Sequence, residues 1–111
     1  MTDIEITRLC AEAMGLQVRQ VPIRGTIMRY WFMDANVERE YNPLHDDAQV
    51  MALVKKMHLQ IYWNEESGLP LEAEVMHREG WEKGYGANKD LNRATCECVA
   101  KMQAERKEEK R

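Results

Sequence analysis

Three segments of this chain place their apolar residues at helical spacing, and the stretches between them alternate at strand spacing. That switching of period restricts the fold more than any other feature, because a helix must bury a stripe and a strand must bury a face. Thr2-Asp3-Ile4-Glu5 opens the first helix as a capping box, with Thr2 as N-cap and Glu5 three residues on. Ile6, Leu9, Cys10 and Ala13 carry the stripe, and Gly15 closes the helix at a left-handed position. Asn42-Pro43 introduces the second helix, and Asp46 and Asp47 suit its electropositive start. Its stripe is Val50, Leu53, Val54 and Met57, with Lys55 and Lys56 complementing the far end. Asp90 caps the third helix, whose stripe is Leu91, Ala94, Cys98, Val99 and Met102.

Residues 16–23 alternate loosely until Pro22, which confines that strand to an edge. Residues 27–33 are aromatic and apolar, and Arg24-Gly25-Thr26 makes the turn between the two strands. Residues 34–41 are polar and charged and read as a loop. Leu59, Ile61 and Trp63 alternate with Gln60 and Tyr62. Residues 64–70 turn the chain, and Leu71, Ala73 and Val75 alternate with Glu72 and Glu74 on the returning strand. Residues 79–89 hold Gly80, Gly84 and Gly86 and read as a second loop. The expected order is therefore α-β-β-α-β-β-α. That makes an α+β fold, a three-layer α-β-α sandwich around a four-stranded, mainly antiparallel sheet. Residues 1–104 form one domain, and 105–111 a charged, solvated tail.

A chain of 111 residues is one domain. Its single Phe, with eight Met, three Trp and four Tyr, points to an adaptable core. A net charge of −3 with interspersed signs argues against disorder and against generic nucleic-acid binding, leaving only a local basic patch open. The three cysteines are an odd set. Cys96 and Cys98 point about 200° apart on a helix, so they do not pair with each other. Reduced thiols fit the cytoplasm. Apolar runs too short to span a membrane, and no basic-then-apolar leader, lead to the same expectation.

No catalytic constellation stands out. His45-Asp46-Asp47 joins a ligand-type imidazole to two carboxylates, but consecutive residues at a helix start fan outward, and capping explains the acids. His58 and His77 flank the hairpin and fall short of a full ligand set. Ser67 sits in a turn without an elbow motif. Cys10, Cys96 and Cys98 read as small buried hydrophobes, and Glu72 and Glu74 as a solvated strand face. The glycines follow neither a Walker loop nor a dinucleotide fingerprint. The expectation is a non-enzyme without metal or cofactor. The best binding candidate is the glycine loop, where Trp81 and Tyr85 offer rings to stack on a base, and Lys83 and Lys89 attend a helix start that favours anions. That set suits a small anionic or nucleotide-like ligand. The aromatic run Tyr30-Trp31-Phe32, or the edge near Pro22, offers a surface on which two copies would pair as a homodimer.

Three stretches together resemble a known family. They are Tyr41-Asn42-Pro43-Leu44-His45-Asp46-Asp47-Ala48-Gln49, the closing Asp90-Leu91-Asn92-Arg93-Ala94, and the opening helix from Ile4-Glu5 to Gly15. In this they are similar to small phage and prophage proteins with the phage ABA sandwich domain. The resemblance implies a helix–sheet–helix fold and transfers no catalytic residue. It also implies a phage protein in the host cytoplasm that acts by stoichiometric binding, to a host defence factor or to a small signalling nucleotide.

Overall fold

The computed structural model describes residues 1–25, 27–64 and 71–109. In chain order the elements are α1 (Asp3–Ala13), β1 (Arg19–Ile23), β2 (Ile27–Asp34), β3 (Val37–Tyr41), α2 (Asp47–Met57), β4 (Leu59–Asn64), β5 (Glu72–His77), β6 (Gly80–Asn88) and α3 (Leu91–Glu109). The fold is α+β. The order, however, is α-β-β-β-α-β-β-β-α, and two three-stranded antiparallel sheets stand where one four-stranded sheet was expected. Sheet A is β1-β2-β3 and sheet B is β4-β5-β6. Of the two expected turns, Thr26 and residues 65–70 lie outside the described residues, Ser67 among them.

Both additional strands come from segments that read as loops. Residues 34–41 were too charged to look like a strand. Ala35 and Asn36, both at positive φ (48° and 71°), form a two-residue turn of the kind that matches strand twist. The charges that follow are satisfied across strands: Arg29 pairs with Glu40, Arg19 with Glu38 and Arg39 with Asp34. The glycine-rich segment became β6 because Gly84 and Gly86 face α3. A Cβ on Gly86 would run into the Ala94 carbonyl oxygen and come within 2.9 Å of the Cys98 backbone nitrogen. On Gly84 it would meet Cγ and Sδ of the Met102 side chain. These glycines permit close packing of helix on strand rather than a turn.

Helix ends follow the expected chemistry. Thr2 and Glu5 complete the capping box, and Gly15 (φ +72°) closes α1 with Leu16 N–H donating to Ala11 O and Gly15 N–H to Glu12 O, both at 3.0 Å. Asp46 caps α2 through Gln49 N–H, and His58 ends it in the left-handed region. Asp90 accepts from Asn92 N–H at the start of α3. That helix runs on through Glu109, so the charged segment 105–109 is helical and Lys107 reaches back to Glu12.

α3 is the centre of the molecule. It packs on β6 and β5 of sheet B and touches α1 and α2 on its other sides. Ala94, Thr95, Cys96, Cys98, Val99 and Ala100 are buried nearly all round it, as a central helix requires. Arg93 ties it to α1 by bonding Asp3 at 2.9 Å. Sheet A meets the rest chiefly through α1, with Tyr30 and Tyr41 in the common core and Phe32 edge-on to Tyr41. Among the described residues no helix covers the second face of sheet B, so the expected three-layer sandwich does not form around it. No helix among them is long and apolar enough to cross a membrane.

The two glycines differ in what opposes them. Gly86→Ala, against rigid backbone, will destabilise by about 3 kcal/mol, at the upper end for overpacking. Gly84→Ala, against a flexible Met side chain, will cost about 1 kcal/mol. Urea unfolding of the two variants checks the order.

Candidate functional site

Sheet B places its side chains by strict alternation along β4 and β5. Leu59, Ala73 and Val75 are buried toward the helices. Gln60, Tyr62, Glu72, Glu74 and Met76 stand on the opposite face, and the register sets Tyr85 beside Met76. Tyr62 is 49% exposed and donates from its hydroxyl to Gln60 Oε1 at 2.9 Å. Tyr85 is half-buried and donates to Glu74 Oε1 at 2.8 Å. The result is an uncovered surface of two tyrosines, a methionine and two carboxylates.

The four residues expected to bind a ligand do not gather in one cavity. Between Met76↔Tyr85 and His77↔Gly80 the register jumps, which leaves residues 81–84 opposite no residue of β5. Trp81 projects from that bulge, 66% exposed. Lys83 is exposed and lines a cavity of about 560 Å³ shared with the end of α3, where Glu82, Glu105 and Glu109 mix with Arg78 and Arg106. Tyr85 lines a different one of about 360 Å³, with Met1, Ile6, Glu97 and Lys101. Lys89 is exposed beyond the end of β6. The segment is a strand edge with one bulge and not the expected loop that would cradle a phosphate.

Other candidates have structural partners. Asp46 caps α2, Asp47 accepts from Asn92 Nδ2 at 2.9 Å, and His45 is exposed. Gln49 clamps the approach to α2, accepting from Asn42 N–H and donating to Glu40 O. His58 and His77 do come near each other, since Arg78 N–H donates to His58 O, but His77 Nδ1 accepts from Glu79 N–H. Among the described residues no three His, Cys, Asp or Glu side chains gather to hold a metal. A further cavity of about 370 Å³, unforeseen from sequence, lies between α1, sheet A and residues 42–45. Its carboxylates are already engaged, Asp3 by Arg93 and Glu40 by Arg29. No local motif marks it, because its walls come from elements far apart in the chain.

The three cysteines are free and fully buried. Cys10 Sγ on α1 donates to Cys96 O on α3 at 3.5 Å. The hydrogen bond to Cys96 and burial push the Cys10 thiol well above its usual range, and burial pushes Cys98 up to about 12. Next to them the Tyr41 hydroxyl is buried without a partner among the described residues, and that burial raises it as well. No known protein family, curated protein or solved structure matches the chain. The likeness to the phage ABA sandwich domain therefore rests on the three sequence stretches alone.

Two outcomes follow from these environments. All three thiols are buried, and those of Cys10 and Cys98 are also held protonated at pH 8, so a disulfide reagent will label no cysteine in the native protein and all three after unfolding. The hydrogen bond to Glu74 raises Tyr85 above the ordinary phenol range. Its stabilisation is thus intact through neutral pH, declines as pH rises above the ordinary phenol range, and is gone above that raised value. Glu74→Gln will bring one phenol back toward the ordinary range in an ultraviolet pH titration.

Proposed function

We propose that this chain is a non-catalytic interaction protein that works by stoichiometric binding to another protein, with the uncovered face of sheet B as its contact surface. The observation that carries this reading is the composition of that face. Tyr62, Met76 and Tyr85 supply rigid and adaptable apolar contact, while Glu72 and Glu74 supply charge. An aromatic and acidic surface of this kind fits a partner segment with Lys or Arg set among apolar residues. The glycines and the sequence motifs offer no competing site, since both are engaged in packing, capping and bridging of elements. The phage resemblance makes the blocking of a host defence factor the particular case to examine first.

A second reading, a module that sequesters a small ligand, draws support from the 370 Å³ cavity beside α1 rather than from residues 80–89. A ligand bound there must raise the melting temperature in proportion to its concentration above Kd.

Native mass spectrometry of the protein purified from its own cells tests the leading reading. One polypeptide held in fixed ratio is expected, and Glu72→Lys with Met76→Asp will release it while thermal unfolding stays unchanged. Retention of the polypeptide by that variant would move the contact elsewhere, and a co-purifying small molecule would favour the second reading.

A further inference from the structure

Two three-stranded sheets expose four edges, and three of them carry devices that discourage pairing. β1 holds Arg19 and, within the strand, Pro22, which removes a donor from the edge. β3 is charged over Glu38, Arg39 and Glu40. β6 is bulged at residues 81–84 and carries Glu82 and Lys83 there. β4 has none of these. Its sequence Leu59-Gln60-Ile61-Tyr62-Trp63-Asn64 contains no charge, no proline and no glycine, and its register with β5 runs unbroken from Leu59↔His77 to Asn64↔Glu72.

The backbone of β4 is also poised to pair. Arg78 N–H donates to His58 O at 3.2 Å, one step beyond Leu59↔His77. Hydrogen-bonded pairs alternate along an antiparallel ladder. Gln60, Tyr62 and Asn64 therefore direct their backbone groups to β5, and Leu59, Ile61 and Trp63 direct theirs outward. Among the described residues nothing in the chain bonds those outward groups. Trp63 is 53% exposed and Ile61 is only half-buried, although both side chains lie on the helix-facing side of the sheet.

We propose that β4 pairs antiparallel with β4 of a second copy, joining two sheets B into one six-stranded sheet across a two-fold axis. The occupant is another copy because a two-fold contact sets each residue against itself or a near neighbour, so that any charge would face its own sign. An uncharged strand alone escapes that penalty, and β4 is the uncharged edge. Antiparallel pairing centred on Tyr62 opposes Ile61 to the partner's Trp63, so that outward-directed groups meet outward-directed groups and the missing main-chain bonds form. It also lays each Trp63 over the partner's apolar inner residues. The expected homodimer is thus relocated: Pro22 guards its edge, and within the aromatic run Tyr30 is buried while Trp31 and Phe32 are half-buried. This inference does not depend on the function proposed above, although dimerisation would set two aromatic faces side by side.

Sedimentation velocity over a hundredfold concentration range tests it. The wild type is expected to move from the 13.0 kDa monomer to twice that mass. Tyr62→Lys and Tyr62→Glu, each at an exposed side chain, should weaken dimerisation at least about tenfold by like-charge repulsion. Mixing the two variants should restore a one-to-one heterodimer, which a folding defect would not do. Hydrogen exchange should protect the Ile61 and Trp63 amides only in the dimer. A wild type that stays monomeric throughout would overturn the proposal. So would a dimer that tolerates both charges, or variants that fail to recombine while remaining folded.

Discussion

The contact between α3 and β6 is the constraint on which the other packing depends. Without side chains at Gly84 and Gly86, the helix comes within backbone reach of the strand. The face of α3 toward the sheet then answers with Ala94 and Cys98, residues small enough to sit there. Once α3 is held so low on sheet B, its remaining surface is what α1 and α2 must cover, and the buried Cys96, Val99 and Ala100 complete that cover. The arrangement allows a core poor in Phe to be dense, because close approach of backbone substitutes for bulk.

Polar groups then fix how the parts meet. Arg93 on α3 holds Asp3 at the start of α1 and Glu97 on its own helix, and Asn92 holds Asp47 at the start of α2. Gln49 ties the end of β3 to α2. Arg93, Asn92, Asp47 and Gln49 belong to the stretches that look familiar in sequence, and each one bridges elements. Such positions specify geometry more than activity.

Sheet A and the outer face of sheet B are the parts the core does not use. Sheet A leans on α1 through Tyr30 and Tyr41 and otherwise closes on itself by cross-strand ion pairs. Exposed ion pairs contribute little stability each, so sheet A depends on its few aromatic contacts. Sheet B spends one face on the helices and leaves its Tyr, Met and Glu side chains on the other.

Periodicity and caps were enough to place all three helices, the β4 and β5 strands, and Glu72 and Glu74 on the outer face of β5, because those signals are local. Thr2, Gly15, Asp46 and Asp90 act on residues within one turn of themselves. β3 and β6 were not legible. Whether Glu38, Arg39 and Glu40 lie in a loop or a strand depends on Arg19, Arg29 and Asp34, which only the paired sheet brings alongside. Three glycines within seven residues read as freedom of the backbone, and only the arrival of α3 turns Gly84 and Gly86 into a packing surface. The same holds for the binding residues: Trp81, Lys83, Tyr85 and Lys89 are close in sequence, yet strand geometry and a bulge point them to different places. The sequence by itself determined which segments are helical, how they end and the α+β class. Tertiary structure alone decided the number of strands, their division into two sheets and the identity of the unguarded edge, because each depends on partners distant in the chain.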